Sequence, residues 1–408
     1  MSRNSRSKYK RSYKKPSNSG GYNNSRKKRS GYHRGGNNQR SSIKHEQYIS
    51  KAVDSPVEEN LYVESVSFDH FKLAPVVKMN IRDKGYEHPT KIQNDTIYEI
   101  LQGRDILGMA STGSGKTAAF LLPMLTKILQ SNHEKCLIVV PTRELANQIR
   151  YELTTFSKNT NILMALIVGG ASYGPQISLL RKNPEFVIAT PGRLIDLHKQ
   201  HKIDLKSFNN IVLDEVDRML DMGFIRDIEL IIKNLSYKKQ SLFFSATMDY
   251  KAENIANRLL VNPLKVEIKQ QTATVNIEQN IIKFEFNGEK INKLHNMLLT
   301  DEFEKVLVFA RTRRGADSLS KELQNRGHKS TAIHGEKSLN QRNRAISQFR
   351  RDDLKVLVAT DVAARGIDIP DISHIINFDE PASYSDYIHR IGRTGRIGKK
   401  GVALTFVR

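Results

Sequence analysis

One glycine-rich stretch, at residues 110–117, constrains the fold of this chain more than any other feature. An apolar segment at 105–109 precedes it, and a run of good helix formers at 118–122 follows it. This order of strand, glycine-rich loop and helix is typical of a phosphate-binding loop, because the glycines let backbone N–H groups point at phosphate oxygens. The helix adds its positive amino-terminal end. We therefore expect a nucleotide to be bound by Ser111, Thr112, Gly113, Ser114, Gly115, Lys116 and Thr117.

Two side chains of this loop have specific chemistry. Lys116 can reach the outer phosphates, and the Thr117 hydroxyl can ligate Mg²⁺. The usual first glycine of the pattern is replaced by Ala110. The alternative is a flexible Gly/Ser turn that happens to precede a helix, and a matching acidic strand end elsewhere in the chain would argue against it.

Such an acidic strand end follows the apolar run at 210–213, where Asp214 and Glu215 are adjacent. It fits a Walker B element, in which Asp214 holds Mg²⁺ directly or through water and Glu215 orients or deprotonates the attacking water. Taken alone, acids at a strand end are more often solvated loop residues or helix caps. Together with the phosphate-binding loop, they indicate an NTPase.

The length and composition indicate two or three domains in a reducing compartment. The chain has 408 residues and one cysteine, Cys136, which lies in an apolar run and is expected to be a buried thiol. Its apolar runs are shorter than the roughly 18 residues that a membrane span needs. Residues 1–42 hold no Ala, Val, Ile, Leu or Phe, which excludes a secretory signal. We expect an intracellular, cytoplasmic protein without a membrane partner.

The formal net charge of +22 is concentrated near the amino terminus, where residues 1–52 hold fifteen Lys or Arg against one acid, Glu46. This segment is also rich in Ser, Asn and Gly and cannot bury enough apolar surface to fold, so we expect a disordered basic tail over 1–60. Its charges can neutralise phosphates, and its tyrosines can stack on unpaired bases. Basicity of this kind indicates nucleic acid or an anionic surface as partner, although it can also serve solubility alone.

From about residue 60 onward, apolar strand candidates alternate with helical patterns, which predicts doubly wound α/β domains with largely parallel sheets. In the first series the strand candidates end at Ala110, Val140, Val168, Thr190, Glu215 and Thr247. In the second series they span 305–310, 331–334, 356–360, 374–378 and 402–407. A polar stretch between them predicts a linker at 269–278, with a first lobe at 61–268, a second lobe at 279–408 and a cleft between the lobes.

The second series contains a cluster of basic residues, Arg390, Arg393 and Arg396, at a spacing of three. At a helix start this spacing places the three guanidinium groups on one face. Across a cleft from a phosphate-binding loop, they could stabilise charge on a γ-phosphoryl group as arginine fingers. A solvated basic turn is the alternative, and the nucleotide site in the first lobe favours the arginine fingers.

The order of these motifs resembles that of the DEAD-box ATP-dependent RNA helicases of superfamily 2, over residues 68–406. The resemblance implies two tandem RecA-like domains with doubly wound parallel sheets. The segment at 85–93 is similar to the adenine-binding Q motif of the family. The resemblance implies that Gln93 hydrogen-bonds the adenine edge, that Phe68 stacks on the base and that Asp368 lies near the ribose, so that the nucleotide is ATP. From the residues alone, Phe68 would be an ordinary core aromatic.

The resemblance also implies an RNA-binding surface on both lobes. Hydroxyls, glycine N–H groups and arginines at loop tips bind sugar and phosphate, so we expect largely sequence-independent contacts with RNA. The residues that match the RNA-binding motifs of the family are Pro141, Thr142, Arg143, Gly170, Thr190, Gly192, Arg193, Arg311, Gln341, Arg344, Thr360, Arg365 and Gly366. Those that match the motifs coupling nucleotide state to strand separation are Ser245, Thr247, Asp217 and His389.

The signature tetrad of the family is altered in this chain. Its residues are Asp214, Glu215, Val216 and Asp217, with Val216 in place of alanine. We expect Val216 to suit a strand end because it is β-branched, and to add two methyl groups beside the Mg²⁺ site. ATP hydrolysis should survive because both preceding carboxylates are kept, whereas coupling to the RNA site would suffer if Asp217 were displaced.

The leading hypothesis is an RNA-dependent ATPase that unwinds short RNA duplexes or remodels RNA–protein complexes by ATP-driven closure of two lobes. Two alternatives stay open: an ATP-gated RNA clamp with little unwinding, and a DNA-acting helicase. We expect a monomer that works in ribosomal-precursor or RNA-decay complexes. Because the sequence ends soon after its last predicted strand, we expect targeting to come from the tail or from partners.

Overall fold

The structure is a computed structural model that describes residues 43–51, 62–110, 113–131, 133–268, 276–364, 369, 371–395 and 400–408. Two α/β lobes follow each other within these ranges, and each is built around its own sheet. None of the helices in the described part of the chain has the length and apolar character that crossing a membrane requires.

The first lobe is built on a parallel sheet. Its strands are β1 (Ile106–Met109), β2 (Cys136–Val139), β3 (Met164–Ile167), β4 (Phe186–Ala189), β5 (Asn210–Leu213), β6 (Gln240–Ser245) and β7 (Leu264–Glu267). They lie side by side in the order β3-β4-β2-β5-β6-β1-β7, and all these pairings are parallel. The carboxyl ends of parallel strands meet at one edge of a sheet, so the segments that follow β1, β2, β4, β5 and β6 are brought together there.

Helices cover both faces of this sheet. In chain order they are α1 (Pro75–Asp83), α2 (Lys91–Leu101), α3 (Lys116–Gln130), α4 (Arg143–Phe156), α5 (Tyr173–Arg181), α6 (Pro191–Lys199), α7 (Val216–Asp221), α8 (Ile225–Asn234) and α9 (Tyr250–Leu259). Strand β2 is apolar at every position because both of its faces are buried. Cys136 and Ile138 belong to the cluster on one face of the sheet, and Leu137 and Val139 belong to the cluster on the opposite face. Cys136 is a fully buried free thiol, as expected.

The second lobe repeats this architecture around its own parallel sheet. Its strands are β8 (Ile277–Lys283), β9 (Val306–Phe309), β10 (Ser330–Ile333), β11 (Val356–Ala359), β12 (His374–Asn377) and β13 (Gly401–Val407). Their order is β10-β11-β9-β12-β13-β8, again with parallel pairings. The helices are α10 (Asn287–Leu298), α11 (Arg313–Asn325), α12 (Leu339–Arg350), α13 (Asp361–Ala364) and α14 (Tyr384–Ile391). The prediction of two doubly wound parallel-sheet lobes is therefore confirmed.

Two strands are not evident from the sequence. Both β7 and β8 lie at the edge of their sheets, where only part of each strand is buried and the apolar run is interrupted. Strand β8 begins at Ile277, inside the segment predicted as a linker, because its backbone pairs with β13. Residues 269–275 of that segment lie outside the described residues.

The boundary of the predicted disordered tail is wrong at residues 43–51. A 3₁₀ helix spans His45–Tyr48, and Ser50 forms an antiparallel bridge with Gln279 on strand β8. Tyr48 is completely buried in the core of the second lobe. The Tyr48 ring, a partly buried Ile43 and one pair of backbone hydrogen bonds hold this basic segment, a combination that composition does not reveal. The remaining parts of the predicted tail, 1–42 and 52–60, lie outside the described residues.

A close approach between β1 and β6 generates a stability prediction. A Cβ atom placed on Gly108 would lie 2.5 Å from Cδ1 of Phe244, a fully buried ring that also packs against Phe120. We expect Gly108→Ala to lower the free energy of unfolding by about 1–3 kcal/mol, because overpacked cores must shift or strain their side chains.

The matched control is Gly174→Ala in helix α5, where a Cβ would meet nothing within 4 Å. This variant should stay within about 0.5 kcal/mol of the wild type or gain slightly, since alanine suits a helix. Urea unfolding of the first lobe measures both changes. Equal stability of the two variants would contradict the packing argument.

Candidate active site

The phosphate-binding loop connects β1 to α3 as predicted. Gly113 and Gly115 have φ angles of +88° and +93°, a left-handed conformation that L side chains rarely adopt. Gly115 is the residue that precedes the first turn of α3, so Lys116 and Thr117 lie at the positive amino-terminal end of a long helix. Ser111 and Thr112 lie outside the described residues.

Lys116 and Asp214 are two buried, oppositely charged groups at this edge of the sheet. The Lys116 ammonium donates a hydrogen bond of 2.5 Å to the carbonyl oxygen of Ala110. Asp214 follows β5, and its Oδ1 accepts the N–H of Glu215 at 3.0 Å. Burial raises the pKa of the Asp214 carboxyl, and the Lys116 charge acts in the opposite direction. A carboxylate and a hydroxyl beside a helix amino terminus suit the hard ligand preference of Mg²⁺.

Glu215 has an uncommon backbone conformation, with φ 55° and ψ 50°, immediately before helix α7. A left-handed conformation at a non-glycine residue is costly and is concentrated at functional sites. Its Oε2 lies 2.5 Å from Nη1 of Arg218, and both side chains are buried. Arg218 is a residue that the sequence analysis missed, although its position three residues after Glu215 on a helix would have brought the two side chains together.

Asp217 connects the acidic segment to the end of strand β6. Its Oδ2 accepts hydrogen bonds from the backbone N–H groups of Ala246 and Thr247 at 3.2 and 3.0 Å, and from the Thr247 hydroxyl at 3.2 Å. The Ser245 hydroxyl accepts the N–H of Asp217 at 3.3 Å and donates to the Thr247 carbonyl at 2.7 Å. The structure thus brings together three of the residues predicted to couple the two sites.

Val216 does not stand at a strand end, contrary to the prediction. Strand β5 ends at Leu213, and Val216 is the first residue of helix α7, fully buried in the apolar cluster on one face of the sheet. Its methyl groups therefore fill the core. Asp217 keeps all the contacts with β6 described above, so Val216 has not displaced it.

Gln93 lies directly beneath the phosphate-binding loop. Its Oε1 accepts the N–H of Thr90 at 2.9 Å, which caps helix α2, and its Nε2 donates to the carbonyl oxygen of Gly115 at 3.0 Å. The side chain is 3% exposed. A primary amide can make four hydrogen bonds, so two remain for a ligand. This position ties the predicted adenine-binding motif to the phosphate-binding loop.

Phe68 borders a surface cavity of about 240 Å³ that also has Gly85, Tyr86 and Glu87 in its wall. The ring packs against Tyr86 and Phe71, with centroid distances of 6.4 and 6.2 Å. Phe68 is therefore both a core aromatic, as the residues alone suggested, and part of the wall of a cavity beside the predicted adenine motif.

The predicted RNA-binding residues of the first lobe gather where β2, β3 and β4 end. Thr142 caps helix α4 by accepting the N–H of Leu145 at 3.2 Å. The Arg143 guanidinium covers Gly170, whose φ of +71° is a left-handed conformation that L side chains rarely adopt. Pro141 is buried before α4, and Gly192 lies in the first turn of α6.

Arg193 is held in place by three partners. Nη1 donates to the carbonyl oxygen of Ala171 at 3.0 Å, the guanidinium lies 4.0 Å from the ring centroid of Tyr173, and Nε lies 3.9 Å from Asp196. The Thr190 hydroxyl accepts a hydrogen bond of 3.4 Å from the Gly169 N–H. These contacts connect the loops after β3 and β4 into one surface.

In the second lobe, Arg390 organises the arginine-bearing segment. Its guanidinium forms a bidentate pair with Asp361 at 2.5 and 2.8 Å, and Nη1 donates to Asn377 Oδ1 at 3.1 Å and to the Asp379 carbonyl at 2.7 Å. Arg390 is 3% exposed. It connects α14 to the segments after β11 and β12, a role that the sequence analysis did not assign.

Arg390 and Arg393 do not lie on one helix, contrary to the prediction, and Arg396 lies outside the described residues. Helix α14 ends at Ile391, so Arg390 lies in its last turn and Arg393 lies in the turn that follows. His389, Arg390 and Arg393 line one small cavity with Phe309. At the end of this helix the Gly392 N–H donates to the carbonyl oxygens of Ile388 and Arg390.

The remaining residues predicted in the second lobe are partly described. Arg311 and Arg344 are exposed, and Thr360 is buried at the end of β11. Gln341 uses its side chain in a capping box with Ser338, at 2.9 Å from Oε1 to the Ser338 N–H. Outside the described residues lie Arg365, Gly366, Asp368 and Arg396.

One buried ion pair crosses from the first lobe to the second. Nη2 of Arg342, on α12, lies 3.0 Å from Oε2 of Glu144, on α4, with side chains 7% and 6% exposed. Burial raises the pKa of the Glu144 carboxyl, and the Arg342 charge opposes that change. The pair lies next to Arg143 and Gln341, which both belong to predicted RNA-binding motifs, but the sequence gives no sign that these two residues meet.

The contacts of Arg390 generate a stability prediction. Lysine cannot form the bidentate pair with Asp361, so we expect Arg390→Lys to lower the free energy of unfolding by about 2 kcal/mol. Arg258→Lys is the matched control, since Arg258 and Glu229 form an exposed ion pair whose loss should cost no more than about 0.5 kcal/mol. Urea unfolding decides, and equal losses in the two variants would contradict the role given to Arg390.

Comparison with sequence families divides the chain in the same way as the two sheets. The DEAD/DEAH box helicase family matches residues 90–255, which contain the phosphate-binding loop and the acidic segment. The helicase conserved C-terminal domain matches residues 289–398, which contain Arg342, Arg390 and Arg393.

Similar proteins are named RNA helicases. The ATP-dependent RNA helicase CshA of Listeria monocytogenes is 42% identical over 344 residues, which are 84% of this chain and 66% of CshA. The DEAD-box ATP-dependent RNA helicase RhpA of Helicobacter pylori is 41% identical over 342 residues, 84% of this chain and 69% of RhpA. This chain thus spans about two thirds of the length of these relatives.

A solved structure agrees with this relationship. Dbp5 of Saccharomyces cerevisiae, bound to RNA and ADP BeF3, is 32% identical and superimposes with a TM-score of 0.73, covering 84% of this chain and 89% of that one. Sequence, fold and motif order lead to one assignment. This chain belongs to the DEAD-box family of ATP-dependent RNA helicases.

Proposed function

We propose that this chain is an RNA-dependent ATPase that unwinds short RNA duplexes or remodels RNA–protein complexes by ATP-driven closure of its two lobes. The observation that carries the proposal is the set of side chains grouped at the edge of the first sheet. The Lys116 charge acts on the buried Asp214 carboxyl, and Asp217, three residues further along the chain, hydrogen-bonds with the Ser245 hydroxyl and the Thr247 N–H. A nucleotide bound at one end of this set can affect a surface at the other end.

Nucleotide binding is assigned to the first lobe. The glycine loop and the α3 amino terminus would receive the phosphates, with Lys116 on the outer ones. Gln93 and Phe68 would select adenine, and Asp368 would lie near the ribose, which makes ATP the nucleotide. Thr117 and Asp214 would hold Mg²⁺, which neutralises phosphate charge when it is bound.

Hydrolysis is assigned to residues from both lobes. Glu215, oriented by Arg218, would accept a proton from the attacking water as its oxygen bonds to the γ-phosphorus and the bond to the bridging oxygen breaks. Arg393 and Arg396 would stabilise the charge that develops on the γ-phosphoryl oxygens. Because the two sets of residues belong to different lobes, hydrolysis would require the lobes to close.

RNA would lie across both lobes. In the first it would contact the surface formed by Arg143, Gly170 and Arg193, and in the second the residues around Arg311, Gln341, Arg344 and Thr360, continuing to Arg365 and Gly366. Backbone contacts of this kind read little sequence. Asp217, Ser245, Thr247 and His389 would couple the two sites. The named relatives and the RNA-bound Dbp5 structure support RNA as the partner.

We also propose domain bounds, a cellular location and complexes for this chain. We assign a nucleotide-binding lobe to 61–268 and a second helicase lobe to 279–408, and we add residues 43–51 to the second lobe on the contacts described above. The basic residues before them would hold the enzyme near RNA. We propose a cytoplasmic monomer that acts in ribosomal-precursor or RNA-decay complexes.

Steady-state ATP hydrolysis with Mg²⁺ tests the activity directly. We expect strong stimulation by single-stranded RNA and little by DNA of the same length, because the 2′-OH groups are part of the recognised backbone. Lys116→Ala and Glu215→Gln should each lower turnover by about 100-fold or more, since each removes a group that acts on the reacting phosphate or water.

A strand-displacement assay on a short RNA duplex completes this test. Slow hydrolysis with a long-lived RNA complex and no displacement would identify an ATP-gated clamp. Equal stimulation by DNA would identify a DNA-acting helicase. RNA-stimulated hydrolysis that survives in both variants would refute the assignment of the active site.

The ion pair between Glu144 and Arg342 tests lobe closure. Arg342→Glu places two carboxylates together, so closure should be disfavoured and the RNA concentration for half-maximal ATPase should rise about tenfold or more. Adding Glu144→Arg restores opposite charges and should recover most of the loss.

The matched control is Arg326→Glu, which reverses a charge in a partly exposed ion pair within the second lobe. It should leave the RNA requirement within about twofold of the wild type. If Arg342→Glu behaves like this control, or if the double variant is no better than the single one, the ion pair does not contribute to closure.

A further inference from the structure

The segment at 43–51 is bound to the second lobe at the edge of its sheet. The Ser50 N–H donates to the carbonyl oxygen of Gln279 at 3.0 Å, and the Gln279 N–H donates to the Ser50 carbonyl at 2.8 Å. These reciprocal bonds pair the segment with the exposed side of β8, the edge strand. A segment that precedes the first lobe in the sequence is therefore bound to the second lobe.

Tyr48 is the side chain that anchors this segment. It has no exposed surface, and its ring meets the ring of Tyr387 edge-on, with centroids 4.8 Å apart and an angle of 64° between the planes. The Tyr387 hydroxyl in turn donates to Oε1 of Gln279 at 2.8 Å. Segment, edge strand and helix α14 thus form a closed set of contacts in which each element touches the other two.

The anchored helix is the one that leads to the arginine-bearing turn. Tyr387 lies one turn before Arg390, and Arg393 follows directly after the helix ends. Charged groups of this region act on the Tyr48 hydroxyl. Burial and the Glu380 charge raise its pKa to about 12, and the Arg390 charge acts in the opposite direction. The ring itself lies in the buried core of the second lobe, against Tyr387 of α14.

The hydroxyl of Tyr48 is buried and has no hydrogen-bond partner among the described residues. The contribution of this side chain is therefore its ring, which fills space against Tyr387. A phenylalanine would supply the same ring, whereas a smaller side chain would leave a cavity under α14 into which the helix could shift.

We propose that Tyr48 is a positioning residue for ATP hydrolysis, which fixes helix α14 so that the turn containing Arg393 meets the nucleotide in the correct place. This inference rests on the proposed function. It assigns a catalytic consequence to a segment whose composition indicated only an RNA-tethering tail. Because arginine contacts to the γ-phosphoryl group matter most in the transition state, their misplacement should lower kcat with little effect on binding.

The test compares Tyr48→Ala and Tyr48→Phe with the wild type at saturating RNA, well below the unfolding temperature of each protein. We expect Tyr48→Ala to lower kcat about tenfold, with the KM for ATP and the RNA requirement within about twofold of wild type. Tyr48→Phe should keep the wild-type kcat, since the hydroxyl makes no hydrogen bond. Tyr32→Ala, the same change in the preceding basic segment, is the matched control.

Hydrogen exchange of the second-lobe strands separates positioning from partial unfolding, because it reports the fraction of molecules in which that lobe is folded around Tyr48. If Tyr48→Ala does not fold, Tyr48→Leu takes its place, since leucine fills much of the volume without the ring. A kcat that is unchanged, or that falls only in proportion to the fraction of molecules with a folded second lobe, would overturn the proposal.

Two truncations locate the effect independently. Removal of residues 1–42 should keep kcat at saturating RNA, whereas removal of residues 1–51 should lower it about tenfold, as Tyr48→Ala does. Equal kcat values for the two truncated proteins would overturn the proposal. A wild-type protein without RNA-stimulated hydrolysis would instead refute the proposed function, so the two failures are distinguishable.

Discussion

The site depends on one pair of opposite charges buried at the edge of the first sheet, the Lys116 ammonium and the Asp214 carboxyl. Burial alone would make either charge costly, and their proximity offsets part of that cost. Lys116 also bonds to the Ala110 carbonyl and begins α3, so it connects the end of β1 to the start of that helix. The parallel sheet makes this arrangement available, since strands β1 and β5 both end at the same edge.

Around this pair, each further element of the site is positioned by a neighbour that is itself held in place. Asp217 is fixed by the N–H groups after β6, Glu215 by Arg218, and Gln93 by the loop that it supports. The second lobe follows the same principle through Arg390. Such supporting contacts keep side chains in position, which the proposed coupling of nucleotide and RNA binding through lobe closure requires.

The sequence predicted what depends on local patterns. Apolar runs located most strands, and glycine positions located the loop at Gly113 and Gly115, because each follows from backbone geometry alone. Contacts between distant segments were not predictable. Nothing in the sequence pairs Glu144 with Arg342, or Arg390 with Asn377, and edge strand β8 lacks a continuous apolar run. The sequence analysis places Tyr48 in the disordered tail because composition, here fifteen basic residues, does not show that one aromatic ring is buried in a distant core.

The central claim is that ATP and RNA together close the two lobes, and the distance between them tests it most directly. Tyr237 and Leu299, 99% and 63% exposed on the first and second lobes, can be replaced by cysteines that carry a fluorescent donor and acceptor, while Cys136 is fully buried and stays unlabelled. We expect energy transfer to change only when a non-hydrolysable ATP analogue and RNA are both present. The same change with either ligand alone, or no change with both, would contradict the claim.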